Sequence, residues 1–210
     1  MRTYVYIDGF NFYYGAVKNT PYKWLDFKAL CQRLLAPSHQ ILSIKYFTAK
    51  VKAIGDSERP LRQSVYINAL KKHIHELSVH YDHFMSHEVR MPLASDPRQK
   101  VTVIKTEEKG SDVNLALHIL NDAWHDRYDC AVILSNDSDL AEALRMVKSD
   151  HKKRVGLILP KGVAGHKVHP SVELMKLADF KIFIGEGALA ASQLPNPIPG
   201  TNIHKPLKWA

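Results

Sequence analysis

The chain has 210 residues, of which 45% are hydrophobic and 24% are charged, and its formal net charge is +8. These values are typical of a soluble globular protein and exclude an intrinsically disordered chain, and no apolar run is near the roughly 20 residues of a membrane-spanning helix. Because an apolar run at residues 3–7 begins the chain without a charged leader, we expect a cytoplasmic protein with no membrane partner.

Short apolar runs alternate with segments of helical periodicity along most of the chain. The predicted strands cover residues 3–7, 41–49, 79–91, 100–108, 129–135, 154–160 and 180–184, and the predicted helices cover residues 26–36, 61–77, 111–125, 138–149 and 170–178. This alternation predicts an α/β fold with a central, mainly parallel sheet and helices on both faces.

The chain is expected to form one domain over residues 1–185, followed by a proline-rich tail over residues 186–210. The tail has no periodicity, so we expect it to be extended and mobile. The alternative is that Ile203, Leu207 and Trp209 dock on this domain or on a partner.

Acidic residues are concentrated in one part of a basic chain. Residues 110–144 contain seven acidic side chains and one basic side chain, although the whole chain has a net charge of +8. A basic surface attracts polyanions, whereas concentrated carboxylates repel them unless a cation intervenes. The pattern suits a metal-dependent enzyme that acts on a phosphodiester, and the alternative is an ordinary acidic helix with a solvated surface.

Polar side chains collect where predicted strands end and where the helix at residue 111 begins. The set is Asp8, Asn11, Asp112, Ser135, Asp137 and Asp139. The carboxyl ends of parallel strands meet at one edge of a sheet, so these groups should lie together if the segment before Asp112 delivers it to that edge.

Carboxylates gathered in one cleft repel one another unless a hard cation neutralises them, and their oxygens suit Mg²⁺ or Mn²⁺. Such an ion can activate a water for phosphodiester hydrolysis. The alternative for an aspartate taken alone is a helix cap, in particular at Asp112 and Asp137.

Three segments, YIDGFNFYYG (6–15), EEKGSDVNLALHIL (107–120) and DCAVILSNDSDLAEALRMVK (129–148), together resemble the NYN domain. This family is a branch of the PIN-like metal-dependent ribonucleases and includes LabA-like bacterial proteins. The resemblance implies a PIN-like nuclease domain over residues 1–185 that hydrolyses RNA with Mg²⁺ or Mn²⁺. It assigns the metal to Asp8, Asp112, Asp137 and Asp139, and matches Asn11 and Ser135 to polar residues that would position water or a substrate oxygen.

The chain departs from the family pattern at three positions. Asn136 stands in the place of a glycine, Leu140 in the place of an aromatic residue, and His118 where a second aspartate is often found. Asparagine tolerates a left-handed backbone, so we expect the turn at Asn136 to survive.

Four basic side chains are expected to contact single-stranded RNA, the predicted partner. They are Lys109, Lys152, Lys153 and Arg154. The alternatives are a plain surface lysine at 109 and stabilisation of a helix C-terminus by residues 151–154. The sequence leaves the oligomeric state open, a homodimer included.

Two other functions fit the same residues. One is a non-catalytic RNA-binding regulatory module that keeps the acidic pocket. The other is a phosphatase acting on a small phosphoester, for which residues 91–99 are the candidate lid.

Overall fold

The computed structural model describes residues 1–53, 55–160 and 169–209, and its centre is a seven-stranded sheet in the order β4-β3-β2-β1-β5-β6-β7. All neighbouring strands are parallel except β3 and β4. The strands are β1 (Arg2–Asp8), β2 (Gln40–Ala49), β3 (Leu77–Pro92), β4 (Lys100–Lys109), β5 (Cys130–Leu134), β6 (Arg154–Pro160) and β7 (Phe180–Ile184). The predicted fold class is confirmed.

The helices connect these strands and cover both faces of the sheet. They are α1 (Gly9–Phe12), which continues as a π-helical turn (Tyr13–Val17), α2 (Phe27–Leu34), α3 (Arg59–His73), α4 (Ser111–Trp124), α5 (Ala141–Ser149), α6 (Val172–Leu177) and α7 (Glu186–Ala190), with 3₁₀ turns at Ser138–Leu140 and Leu207–Trp209. The sequence predicted no helix at residues 9–17. No helix in the described part of the chain is long and apolar enough to cross a membrane.

The apolar side chains of the central strands alternate between two cores. In β1, Val5 and Ile7 face the core that α2, α3 and α7 cover, whereas Tyr6 faces the core that α4, α5 and α6 cover. Both faces are buried, which explains why the strands are nearly continuous apolar runs in the sequence. From β1 the chain winds outward to β2 and β3, and after β5 it winds outward in the opposite direction. The crevice between β1 and β5 is therefore the switch point at which ligands bind in such sheets.

A long hairpin brings the start of α4 to this crevice. Residues 77–82 of β3 pair with β2, and the rest of β3 pairs with β4 alone, as an arm over residues 83–109 that we call the β3–β4 arm. β4 runs back along the arm until Lys109 pairs with His83, so α4 begins at the carboxyl edge of the sheet. Residues 91–99, the candidate lid, lie at the far end, roughly 25 Å of extended strand away from Glu108. They are not placed to cover the crevice.

The segment after β7 packs on the domain instead of extending from it. Leu194 and Ile198 are buried in the same core as α2, and the Trp24 indole donates to the carbonyl of Pro195 over 3.1 Å. Trp209 packs against Tyr66, with ring centroids 5.7 Å apart. This differs from the expectation of a mobile tail, because apolar residues between the prolines fill gaps that α2 and α3 leave open. Ile203 and Trp209 dock as the alternative predicted, and Leu207 stays exposed.

Candidate functional site

Asp8 ends β1 and is almost fully buried at the crevice. One carboxylate oxygen accepts the backbone N–H of Asn11 over 2.9 Å, and the other accepts the hydroxyl of Ser135 over 2.9 Å. Burial raises the pKa of Asp8 and the nearby charge of Asp137 adds to the rise, while the two donated hydrogen bonds oppose it. Asp8 therefore caps α1 and also presents a carboxylate to the crevice.

The glycine after Asp8 lets α1 lie directly on β2. A Cβ at Gly9 would stand 2.7 Å from the carbonyl oxygen of Phe47 and 2.7 Å from the ring of Tyr46. No side chain fits that space without a shift of the backbone. Asp8 thus presents its carboxylate at the point where Gly9 lets α1 pass close to β2.

The loop after β5 is tied to the loop after β1 by side chains. The Asn11 side-chain carbonyl accepts the backbone N–H of Asn136 over 3.0 Å, and the Asn136 amide donates to the carbonyl of His169 and accepts from the N–H of Ser171. Asn136 is not among the residues with positive φ, so its place in the family's glycine position is explained by these hydrogen bonds and not by a left-handed turn. Asn11 and Ser135 both connect the two loops.

Asp112 reaches the crevice from the first turn of α4, and Glu108 reaches it from the end of β4. The hydroxyl of Ser111 donates to Oε1 of Glu108, which fixes the glutamate side chain. Burial, followed by the charges of Asp8 and Asp112, raises the pKa of Glu108 to about 7. Burial, followed by the charges of Asp8 and Asp137, raises the pKa of Asp112 to about 6.

Sequence reasoning missed Glu108. Two glutamates precede Lys109, the last residue of β4, and a strand directs successive side chains to opposite sides. The sequence therefore contained the signal that one of the two would face the crevice. Glu107 faces the other way and pairs with Lys105 and Lys109, at 2.6 and 3.2 Å. Lys109, predicted to contact substrate, is therefore exposed and held by Glu107 outside the crevice.

These groups surround one open cavity of about 450 Å³. Its acidic and amide lining residues are Asp8, Asn11, Glu108, Asp112, Asn136 and Asp137. In the described part of the chain no lysine or arginine pairs with Asp8, Glu108 or Asp112, so their charge is not compensated. We call this the acidic cavity.

The remaining predicted residues lie elsewhere. Asp139 is exposed and does not line the acidic cavity, although its charge contributes to the raised pKa of Asp112. Residues 152–154 lie at the start of β6, whose last residue, Pro160, lines the acidic cavity, so they are roughly 20 Å from it. Lys153 is paired with Asp126 there. The structure thus gathers Asp8, Asn11, Asp112, Ser135 and Asp137 but not the basic residues.

The donors of the acidic cavity suit a hard divalent cation. They are carboxylate, amide and hydroxyl oxygens, the ligands that Mg²⁺ and Mn²⁺ take, and Mg²⁺ keeps several waters and needs only one or two protein carboxylates. Among the residues described, no three histidine, cysteine or acidic side chains stand close enough together to enclose an ion. The cavity therefore fits a partly hydrated ion and not a closed all-protein cage.

Three comparisons place the chain among known proteins. The family model of the NYN domain matches residues 2–184, which confirms the resemblance. A protein named 6-hydroxy-3-succinoylpyridine 3-monooxygenase HspA, from Pseudomonas putida (strain DSM 28022 / S16), is 36% identical over 239 residues, with 100% of this chain and 75% of that protein covered. The crystal structure of VPA0982 from Vibrio parahaemolyticus RIMD 2210633, a protein of unknown function, superposes with a TM-score of 0.54 at 14% identity, covering 92% of this chain and 96% of that one. This last likeness concerns the fold alone.

Proposed function

The chain belongs to the NYN domain family, and from this membership and the acidic cavity we propose that it is a divalent-metal-dependent ribonuclease. The observation that carries the proposal is the convergence of four carboxylates from β1, β4, α4 and the loop after β5 on one cavity. Among the described residues no lysine or arginine pairs with Asp8, Glu108 or Asp112, so a bound divalent cation would relieve the repulsion between these carboxylates.

Asp8, Asp112 and Asp137 would hold Mg²⁺ or Mn²⁺ in part through bound water, with Glu108 beside them. Such an ion supplies activation of the attacking water and stabilisation of the leaving oxygen in phosphodiester hydrolysis. Oε1 of Glu108 accepts the Ser111 hydroxyl, which leaves Oε2 to carry a proton in the neutral pH range. Since Oδ1 of Asn11 accepts from the backbone, its amide group remains to donate to a phosphate oxygen.

The test is cleavage of labelled single-stranded RNA by the purified protein, in Mn²⁺ and in EDTA. Single-stranded DNA and p-nitrophenyl phosphate serve as alternative substrates. We expect Mn²⁺-dependent cleavage of RNA that falls about a hundredfold or more in the Asp8→Asn and Asp112→Asn variants. Asp150→Asn, which removes an exposed carboxylate at the end of α5, is the matched control and should cleave normally.

The same assay separates the other functions. RNA binding in Mn²⁺ without cleavage would establish a non-catalytic module. Hydrolysis of the phosphomonoester alone would establish a phosphatase. Residues 91–99, the candidate lid for that function, lie at the far end of the β3–β4 arm and do not cover the acidic cavity. RNA cleavage that persists in both aspartate variants contradicts the proposed site.

A second candidate function is a monooxygenase acting on a hydroxypyridine. It is favoured by the 36% identity to HspA over the whole of this chain. A monooxygenase places one oxygen atom of O₂ in the product and reduces the other to water with two electrons. Incubation with 6-hydroxy-3-succinoylpyridine and a reduced nicotinamide nucleotide as electron donor tests it, and substrate-dependent O₂ uptake would be the positive result.

A further inference from the structure

A second cavity lies beside the acidic cavity and is walled by aromatic rings. It measures about 190 Å³, and seven aromatic residues line it: Phe10, Phe12, Tyr13, Phe27, Tyr46, Tyr66 and Trp209. The seven come from α1, the π-helical turn after it, α2, β2, α3 and the last 3₁₀ turn, so only the folded chain assembles them. Phe10 also lines the acidic cavity. We call this second space the aromatic cavity.

The size of the aromatic cavity is that of a single ring. A protein cavity of about 150 Å³ holds one benzene molecule, so about 190 Å³ accommodates one six-membered ring with small substituents. Flat aromatic walls favour stacked or edge-to-face contact with such a ring. A purine with its sugar exceeds this space.

The charged side chains around the aromatic cavity leave an excess of positive charge. Lys23, Arg59 and Arg62 line it together with one carboxylate, Asp56. Arg62 forms salt bridges with Asp56 and Glu58. Lys23 and Arg59 contact no carboxylate in the part of the chain that the structure describes. Burial and the nearby Arg62 guanidinium lower the pKa of Lys23, as expected where cations meet without an anion.

One neutral donor also borders this space. The ring of Tyr46 is buried, its pKa is raised by burial, and its hydroxyl has no hydrogen-bond partner among the described residues. The hydroxyl of Tyr66, in contrast, donates to the carbonyl of Leu25 over 2.8 Å. A ring nitrogen or an exocyclic oxygen of a ligand would give Tyr46 the acceptor that the protein does not provide.

We propose that the aromatic cavity binds a six-membered heteroaromatic ring carrying an anionic substituent. The ring lies among the aromatic walls, its acceptor faces Tyr46, and the anion is held by Lys23 and Arg59. Two sources share this chemistry, a pyrimidine nucleotide of RNA and a free heteroaromatic acid. The proposal does not rest on the metal-dependent activity, because among the described residues the two cavities have only Phe10 in common and none of the carboxylates of the acidic cavity lines the aromatic cavity.

The experiment measures quenching of tryptophan fluorescence in the full chain without added metal. Uridine 3′-monophosphate represents the nucleotide, 6-hydroxynicotinate represents the free acid, and adenosine 3′-monophosphate and inorganic phosphate are the controls. We expect saturable quenching by at least one of the first two, absent in Trp209→Phe. The affinity should fall about tenfold or more in Lys23→Met and in Arg59→Met. Lys72→Met, which removes an exposed charge from α3, should bind normally.

Each outcome decides the proposal. Saturation by the uridine nucleotide alone supports it and assigns the cavity to RNA, whereas saturation by the acid alone supports it and assigns the cavity to a small molecule. The absence of saturable quenching by both probes overturns it, and so does binding that both substitutions leave unchanged. If Arg59→Met unfolds, Lys23→Met decides, since Lys23 is half-buried and replaceable without a gap in the core.

Discussion

The hydroxyl of Ser135 donates to Oδ2 of Asp8 over 2.9 Å, across 127 positions of the chain. Ser135 also accepts the backbone N–H of Asp137 over 3.1 Å. One hydroxyl thus fixes the carboxylate at the end of β1 and the loop after β5 in a single arrangement. The acidic cavity depends on this contact, because it holds two of its carboxylates at a set separation.

Ser135→Ala should therefore weaken both the fold and the site. The buried hydrogen bond goes to a carboxylate, so its loss should lower the free energy of unfolding by about 1.5–3 kcal/mol. Urea denaturation followed by circular dichroism measures this value. Ser138→Ala, at an exposed position of the same loop, is the control and should change it by less than about 0.5 kcal/mol. Equal stability of the two variants would mean that the Asp8–Ser135 contact carries little energy.

The acidic cavity should make the metal-free protein less stable as the pH rises. The folded-state pKa values of Glu108 and Asp112, about 7 and about 6, lie above the ordinary carboxyl value of about 4. Because the folded state binds these two protons more tightly than the unfolded state does, their contribution to stability is complete below about pH 4. It is lost as the pH rises through 6 and 7 and the carboxyl groups ionise. Both side chains are partly exposed, so the loss should be near 1 kcal/mol each after solvent screening.

Melting temperatures in EDTA at pH 5 and pH 8 test this dependence. Asp112→Asn and Glu108→Gln should raise the melting temperature relative to the wild-type chain at pH 8 and change it little at pH 5. Glu88→Gln, at an exposed position of the β3–β4 arm, should leave the pH dependence as it is. A wild-type melting temperature that stays constant between pH 5 and pH 8 would contradict the prediction.

Mn²⁺ affinity should increase with pH over the same range. Metal binding requires deprotonated carboxylates, and protons bound to Glu108 and Asp112 compete with the ion. We expect the dissociation constant to fall between pH 5 and pH 6 by up to about tenfold for each proton that the ion displaces. Titration of free Mn²⁺ by electron paramagnetic resonance measures it. An affinity independent of pH, or one unaffected by Asp112→Asn, would place the ion elsewhere.

A buried charge cluster near the C-terminal end of α4 should stabilise the fold. Asp122 is fully buried and accepts from the hydroxyl of Tyr6 and from Arg127, each at 2.8 Å, and from Lys45. Although burial alone raises the pKa of Asp122, these three donors lower it overall. His118, in the position where the family often has an aspartate, lies 3.3 Å from the Lys45 ammonium and belongs to this cluster instead of the acidic cavity.

Asp122→Asn removes the carboxylate that pairs with the largely buried Lys45 ammonium, so the free energy of unfolding should fall by about 3 kcal/mol. Asp150→Asn is the exposed control. The lowered pKa means that the stabilisation by Asp122 is present above pH about 4 and is lost as the pH falls below it. Urea denaturation at pH 7 is the measurement, and a loss under about 1 kcal/mol would show that the cluster is not a stabilising one.

The basic residues near the start of β6 are predicted to contact RNA. Lys152 is exposed, whereas Lys153 is paired with Asp126. If RNA extends the roughly 20 Å from the acidic cavity to this patch, Lys152→Glu should weaken RNA binding and reduce the slope of log affinity against log salt by about one. Fluorescence anisotropy over a range of salt concentrations measures the slope. An unchanged slope would limit these residues to local ion pairs.

The local pattern of the chain determined the secondary structure and the members of the cluster at the ends of β1 and β5. The central strands are nearly continuous apolar runs, whereas a strand with one exposed face alternates apolar and polar residues. Both faces of the sheet must therefore be buried, which indicates a parallel sheet covered by helices. Asp8, Asn11, Ser135 and Asp137 follow from that class, because the ends of adjacent parallel strands meet. The helix predicted to reach residue 77 ends at His73 because Ile74 adopts an extended backbone that leads into β3.

Tertiary structure alone decided which other residues join the cavity. Glu108 faces it and Glu107 does not, because the length of the β3–β4 arm and the pairing of Lys109 with His83 set which side each glutamate takes. The same pairing brings Asp112 to the carboxyl edge, while Asp139 stays outside and Lys152 lies at the opposite edge. Strand register and the packing of the last 20 residues against α2 and α3 are long-range contacts, and periodicity within a short window of sequence does not encode them.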